Sequence, residues 1–306
     1  MSESGIHRCV LGIDAGGTRI RARLADAATG AVLAEGAGGP GNALSVASAD
    51  LVRNLADALR GAVPRGRAGA LVSVVAGFAG GGPGGGVANA RAALVEALAG
   101  SGASPARVEV LGDADIAFAA GPGTPADGLV LIAGTGAAGA RVERRRAVRV
   151  VDGDGWLLGD AGSGFWLGRE ALRAVLRSLD GRGPATSLAR AVGELCGGLS
   201  KEAVVRYGYT GHPVRLAALS PLVVDAERSG DEVARSLLDR ATDELAAIVG
   251  ALTPGPGEPL VATGGLIGPG GPLLPRLAER VGAWGLTPSP VPDGVSGAVA
   301  LARLAH

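Results

Sequence analysis

The chain has 306 residues, and its 29 Lys+Arg balance its 29 Asp+Glu. That balance argues against a nucleic-acid or membrane-surface partner, which calls for a basic excess. Hydrophobic residues are 47% and charged ones 19%, so a large core can be buried and wholesale disorder is excluded.

Aromatics are only 3%, so Ala, Val and Leu must build that core. Gly reaches 54 without a collagen period, and Lys201 is the only lysine. Such a bias makes any lone glycine motif weak.

In chain order, Arg8–Ile13 reads as a buried strand ending at Asp14-Ala15-Gly16-Gly17-Thr18. Arg19–Leu24 alternates as a second strand, and Ala31–Glu35 follows the Thr29-Gly30 turn as a third. Leu44, Leu51, Leu55 and Leu59 predict a helix over 44–59. Ala70–Ala76 reads as a buried strand, 87–99 as a helix, Arg107–Leu111 as a strand and 114–120 as a helix.

The order then restarts. Gly128–Ala133 is a strand ending at Gly134-Thr135-Gly136, and strands at 138–143 and 147–151 flank an Arg144-Arg145-Arg146 turn. Helical segments are expected at 162–179, 186–195, 214–228 and 231–252. Leu260–Thr263 is a last strand ending at Gly264-Gly265, and 296–304 a closing helix. The two halves share this pattern without sequence identity, and Gly121-Pro122-Gly123-Thr124-Pro125 is the best boundary.

Three glycine turns follow three apolar strands. Such a turn exposes backbone N–H groups and lets a phosphate approach where no Cβ intervenes; a plain hairpin turn is the alternative for each. Asp14 could hold Mg²⁺ beside phosphate oxygens. Asp113 opens a helix at a strand end, where open α/β sheets bind ligands; it is either a proton acceptor or a helix N-cap. Trp156 and Asp160 suit a sugar platform, or Trp156 and Trp166 are core and Asp160 caps the helix from Gly162. Asp152-Gly153-Asp154-Gly155 lacks the downstream Glu of a calcium loop.

No GxxxxGK[ST], protein-kinase motif set or helix-opening GxGxxG is present. His7, His212 and His306 lie at termini or in a loop. Cys9 and Cys196 support neither a disulfide framework nor a zinc site. Residues 68–90 are uncharged, but Gly77, Gly80 to Gly82, Pro83 and Gly84 to Gly86 would break a spanning helix. Met1–Arg8 has no apolar signal core, so a cytoplasmic location is expected.

Ile13–Thr18, Ala133–Gly136, Val261–Leu266 and Ser296–Ala298 resemble the two phosphate motifs, adenosine motif and closing helix of the actin-like sugar kinases. Within them, Asp113 and Gly155–Trp166 resemble the N-acetylglucosamine kinases of the BadF/BadG/BcrA/BcrD ATPase family. The resemblance implies an α/β fold of two actin-like (ribonuclease H-like) lobes with a nucleotide cleft between them. The lobes would be 1–121 with 296–306, and 122–295. It implies ATP and Mg²⁺ as cofactors, and Asp113 as the base that takes the proton of the sugar 6-hydroxyl. Asn42, Asp113, Gly155, Trp156 and Asp160 would bind the sugar. Gly16, Gly17, Thr18, Gly134, Thr135, Gly136, Gly264 and Gly265 would bind ATP, and Asp14 the metal. N-acetylglucosamine is the first substrate, glucosamine or another amino sugar the alternative, and an ATPase activator or switch the rival class. A homodimer is left open. Two departures stand out: Ala137 replaces the Ser usual after the second motif, and Ala161 the acidic residue common after Asp160.

Overall fold

In the computed structural model, which describes residues 8–81 and 86–305, strands β1 (Cys9–Ala15), β2 (Ile20–Asp26) and β3 (Val32–Gly38) form an antiparallel meander. β4 (Leu71–Phe78) lies parallel to β1, and β5 (Arg107–Gly112) parallel to β4, giving the order β3-β2-β1-β4-β5. Residues 1–7, 82–85 and 306 lie outside the described set, and with them His7, His306, Gly82, Pro83, Gly84 and Gly85.

β1 is buried along its whole length, which is why it reads as a continuous apolar run. Leu51, Leu55 and Leu59 of α1 (Ser48–Ala62) and Leu94 of α2 (Val87–Gly100) pack with Leu11, Ile13 and Phe78. Ile116 of α3 (Asp113–Ala119) and Ala298 and Ala302 of α11 (Val295–Leu304) pack with Val10 and Val75. Gly12 lets α11 approach β1: a Cβ there would lie 2.6 Å from the Val299 amide nitrogen.

The second sheet has the order β10-β9-β6-β7-β8, from β6 (Gly128–Ala133), β7 (Ala137–Glu143), β8 (Arg146–Asp152), β9 (Leu260–Thr263) and β10 (Pro288–Val291). Read from its other end, this is the order of the first sheet. The β7–β8 turn holds Arg144 and Arg145 at φ 49° and 61°, the left-handed pair of a tight hairpin. Two bonds fix it: Arg144 N–H donates to Asp127 Oδ1 at 2.9 Å and Arg145 N–H to Ala126 O at 2.7 Å.

The remaining helices are α4 (Gly155–Leu158), α5 (Gly164–Leu179), α6 (Leu188–Cys196), α7 (Lys201–Tyr209), α8 (Ser220–Arg228), α9 (Glu232–Ala251) and α10 (Leu274–Gly282). Phe165, Leu167 and Val175 of α5 and Leu237, Leu245 and Val249 of α9 are buried. The chain divides into two compact units, one of 1–130, 142–148 and 291–306, the other of 131–141 and 149–290.

Two expectations need correction. The helix predicted from 44 begins at Ser48, because Asn42 Oδ1 accepts the N–H groups of Leu44 and Ser45 at 2.9 and 3.0 Å and turns the chain. The helix predicted from 162 begins at Gly164, capped by Ser163, whose Oγ accepts the Trp166 N–H at 3.1 Å. The structure also adds α4, α7, α10 and β10, which the sequence pattern does not reveal, and resolves the expected 214–228 helix into a 3-10 helix over Pro213–Leu219 followed by α8. β10 contains Pro288 and Pro290, which hide a strand in the sequence and are tolerated because it is a sheet edge.

Candidate functional site

In the first unit, parallel pairing brings three strand ends level: Ala15 faces Phe78, and Phe78 faces Gly112. This C-terminal edge is where open α/β sheets bind ligands. Asp14 stands on β1 and is 9% exposed. Its Oδ2 accepts the Gly294 N–H at 3.1 Å, and Arg21 Nη1 lies 3.7 Å away. Burial pushes its carboxyl above the usual range, against that amide bond and the arginine.

Asp113 is the first residue of α3, and its Oδ1 accepts the Ala114 N–H at 2.9 Å. It is not the helix cap. Asp115 Oδ2 takes the Gly112 N–H at 3.0 Å, and Asp115 Oδ1 takes the Ala147 N–H at 2.6 Å. Burial of the Asp113 carboxyl, reinforced by the negative charge of Asp14, pushes it up to about 7. Nothing among the described residues compensates that burial with a cation as close as Arg21 is to Asp14.

The first glycine turn closes with Gly16 N–H on Arg19 O at 3.0 Å, and Gly41 N–H binds Gly16 O at 2.9 Å. Gly17 and Thr18 are exposed, and a Cβ on Gly17 would meet nothing within 4 Å. Gly17 does not adopt a positive φ, so its glycine is not required by backbone geometry. Asn42 lies beside the turn after β4: Ala43 N–H binds Ala79 O at 2.9 Å, and Gly80, at φ 71°, has Asn42 Oδ1 3.1 Å from where a Cβ would sit. With Oδ1 committed to Leu44 and Ser45, the Asn42 amide offers its Nδ2 donors.

In the second unit, the Gly134–Gly136 turn is built differently. Gly134 N–H binds Gly136 O at 2.9 Å, and the first turn of α5 donates back, Gly164 N–H to Gly134 O at 2.8 Å and Phe165 N–H to Thr135 O at 3.1 Å. Gly264, at φ 102°, presses its Cα against Ala133 O, and a Cβ there would overlap it. The third glycine turn is therefore packed on the second. Gly265 beside it is exposed. Among the described residues, no protein acceptor takes the N–H of Gly17, Thr18, Thr135 or Gly136. Free amides in a glycine turn form an anion-binding surface.

Asp160 is also at this turn. Its Oδ1 accepts the Ala137 N–H at 3.0 Å, and a Cβ on Gly136 would come within 2.6 Å of that oxygen. Twenty-three residues separate Asp160 from Ala137 in sequence, which is why the sequence assigns Asp160 to the sugar alone. It does not cap α5, since Ser163 does. Burial pushes its carboxyl up, and the charges of Asp152 and Asp154 add to that. Trp156, on α4 after Gly155, is half-buried, with its ring 6.0 Å from Phe165 at 64°. Trp166 is core, 6% exposed. Asp115 and Asp152 are the polar residues that the sequence analysis leaves without a role; for Asp152 the Asp-Gly pair at 152–153 was the available turn signal.

The profile of the BadF/BadG/BcrA/BcrD ATPase family matches residues 11–302. The chain belongs to that family. Its fold is that of the actin-like sugar kinases: a protein from Chromobacterium violaceum assigned as an N-acetylglucosamine kinase superposes with a TM-score of 0.73 at 28% identity, covering 97% of this chain and 99% of that one. N-acetyl-D-glucosamine kinase of Dictyostelium discoideum is 32% identical over 178 residues, 55% of this chain and 56% of its own. The N-acetylmuramic acid/N-acetylglucosamine kinase of Clostridium acetobutylicum is 32% identical over 143 residues, 45% of this chain and 46% of its own. The chain thus spans about half the length of the curated relatives it matches. Among the described residues of this family member, no helix is long and apolar enough to cross a membrane.

Proposed function

We propose that this protein is an ATP-dependent kinase that phosphorylates the 6-hydroxyl of an amino sugar, with N-acetylglucosamine the first substrate and glucosamine the next. The observation that carries the reading is Asp113: a carboxyl at a strand end, relieved of capping by Asp115 and pushed up to about 7. A base poised near neutrality balances the deprotonated fraction against proton affinity.

Asp113 accepts the proton of the 6-hydroxyl as that oxygen attacks the γ-phosphorus. The bond from phosphorus to the β–γ bridging oxygen breaks, and ADP leaves. The chemistry is largely positioning and charge stabilisation, so the lack of a P-loop lysine is no obstacle. The acceptor-free amides of Gly17, Thr18, Thr135 and Gly136 suit phosphate oxygens; Gly16 and Gly134 complete their turns. Gly264 and Gly265 are assigned to the adenosine. Asp14 fits a Mg²⁺ ion, being a buried carboxylate with one oxygen on an amide and a second carboxylate, Asp113, raising the local negative charge. Mg²⁺, when bound, neutralises charge on the phosphates. Asn42, Gly155, Trp156 and Asp160 are assigned to the sugar, Asn42 as donor and Trp156 as an aromatic face.

The 32%-identical relatives support the N-acetylated sugar. The test is ADP release with a panel of N-acetylglucosamine, glucosamine and N-acetylmuramate. One of these should raise ADP release and yield a 6-phosphate. ATP hydrolysis that no sugar alters would refute the kinase and favour the switch.

A further inference from the structure

The segment 152–162 runs against backbone preference. Asp152 and Asp160 sit at φ 61° and 56°, and Gly153, Gly155 and Gly162 at φ 81°, 82° and 78°. Side-chain-bearing residues avoid that region unless neighbouring bonds hold them there. Here the Asp152 carboxylate does so. Its Oδ1 accepts the N–H groups of Gly153 and Asp160, each at 2.7 Å, and its Oδ2 the Ala161 N–H at 3.0 Å. Gly159 is needed where the carboxylate crosses, since a Cβ there would overlap Asp152 Oδ1. Asp160 in turn holds Ala137 N–H at 3.0 Å across Gly136. Charge-assisted bonds of this kind are about twice as strong as neutral ones.

We propose that Asp152 is a positioning residue that sets the second phosphate turn, acting through Asp160: its carboxylate locks the 160–161 backbone, and that backbone delivers the Asp160 carboxylate to Ala137. The same link ties the segment assigned to the sugar to the turn assigned to ATP, so a shift at one is carried to the other. The catalytic consequence rests on the kinase reading above, whereas the effect on the turn does not.

Three variants separate the carboxylate from the backbone. Asp152→Gly keeps the left-handed conformation and removes the carboxylate. Asp152→Asn keeps the conformation and the acceptor for Gly153 and Asp160, losing only the one for Ala161. Asp160→Ala removes the second step. Amide exchange of Ala137, read without substrate, should rise about tenfold in Asp152→Gly, and less in Asp152→Asn. Turnover should fall by up to about 100-fold in Asp152→Gly through misplacement of the turn, with most of the loss recovered in Asp152→Asn. Asp152→Gly combined with Asp160→Ala should be no slower than Asp160→Ala alone, because both act along one path.

Unchanged Ala137 exchange in Asp152→Gly overturns the proposal, and so do losses that multiply in the double variant. A lowered unfolding midpoint with native exchange, kcat and KM would leave Asp152 a stabiliser of its own loop and equally overturn it. If Asp152→Gly does not fold, Asp152→Asn decides through the same exchange comparison. If the wild-type protein phosphorylates no sugar, the kinase reading fails, while the exchange at Ala137 still decides the positioning role.

Discussion

The two glycine turns proposed to hold the ATP phosphates follow the same kind of strand and are built in opposite ways. The turn at Gly16–Thr18 is open: a Cβ on Gly17 would have no neighbour within 4 Å, and Gly17 has no positive φ. The turn at Gly134–Gly136 is enclosed by the start of α5, by Gly264 and by Asp160. The acidic groups differ in the same direction. Asp113 sits beside another carboxylate with its charge disfavoured, whereas Asp152 accepts three amide N–H groups. In the first unit the Gly17 turn stays open and Asp113 holds its neighbouring amide, whereas in the second the turn is enclosed and Asp152 fixes backbone. A side chain added at Gly17 therefore meets open space, and one added at Gly136 meets packing.

The sharpest break in this contrast is Asp113→Asn. Removing a general base costs on the order of 100- to 10,000-fold in turnover, and ATP affinity should stay near that of the wild type. A variant within a few-fold of wild-type ADP release would leave Asp113 without a catalytic role.

Next comes pH. Below about 7 the Asp113 carboxyl is protonated and cannot accept the hydroxyl proton, so kcat/KM should fall tenfold per unit on the acid side of that value. Asp14 raises Asp113 by its charge. Asp14→Asn should therefore shift the acid limb to lower pH, in addition to lowering the maximum rate. A limb that stays in place would remove the coupling of the two acids.

The third prediction compares the turns directly. Gly136→Ala drives a Cβ to 2.6 Å from Asp160 Oδ1, and should destabilise the fold by about 1–3 kcal/mol in denaturant titrations. Gly17→Ala, with open space and ordinary φ, should stay within about 0.5 kcal/mol of wild type. Any loss of ATP affinity in Gly17→Ala is then a direct effect on the ligand. Equal stability of the two variants would erase the distinction between the turns.

The smallest effect is on stability. Asp113 has a folded-state pKa above its unfolded value, so the folded state binds more protons between the two. Stability then falls as pH rises through that window, and the cost is fully present above about 7. Asp113→Asn should raise the melting temperature by about a few degrees at pH 8, with the difference fading toward pH 4. A gain that persists at pH 4 would mean the carboxyl charge is not its source.

Much of this was readable along the chain, because strands buried on both faces are long apolar runs and turns are marked by glycine. Gly128–Ala133 and Leu260–Thr263 have the bounds that their apolar runs predict. The Asp-Ala-Gly-Gly and Gly-Thr-Gly signals, the strand-end Asp113 and the family likeness follow from local order alone. What only the tertiary structure decided are the contacts between residues distant in sequence. Whether Asp113 or Asp115 caps α3 depends on side-chain direction within one helical turn. That Asp160 crosses Gly136, that Gly264 packs on Ala133, and that Asp14 meets the Gly294 amide depend on where separate strands end in space. Periodicity states which face of an element is buried, but hydrogen bonds and close contacts between distant segments form only once the sheets set the register; those contacts fix the shape of the second turn, and the same packing buries the Asp113 carboxyl near Asp14 and pushes it up.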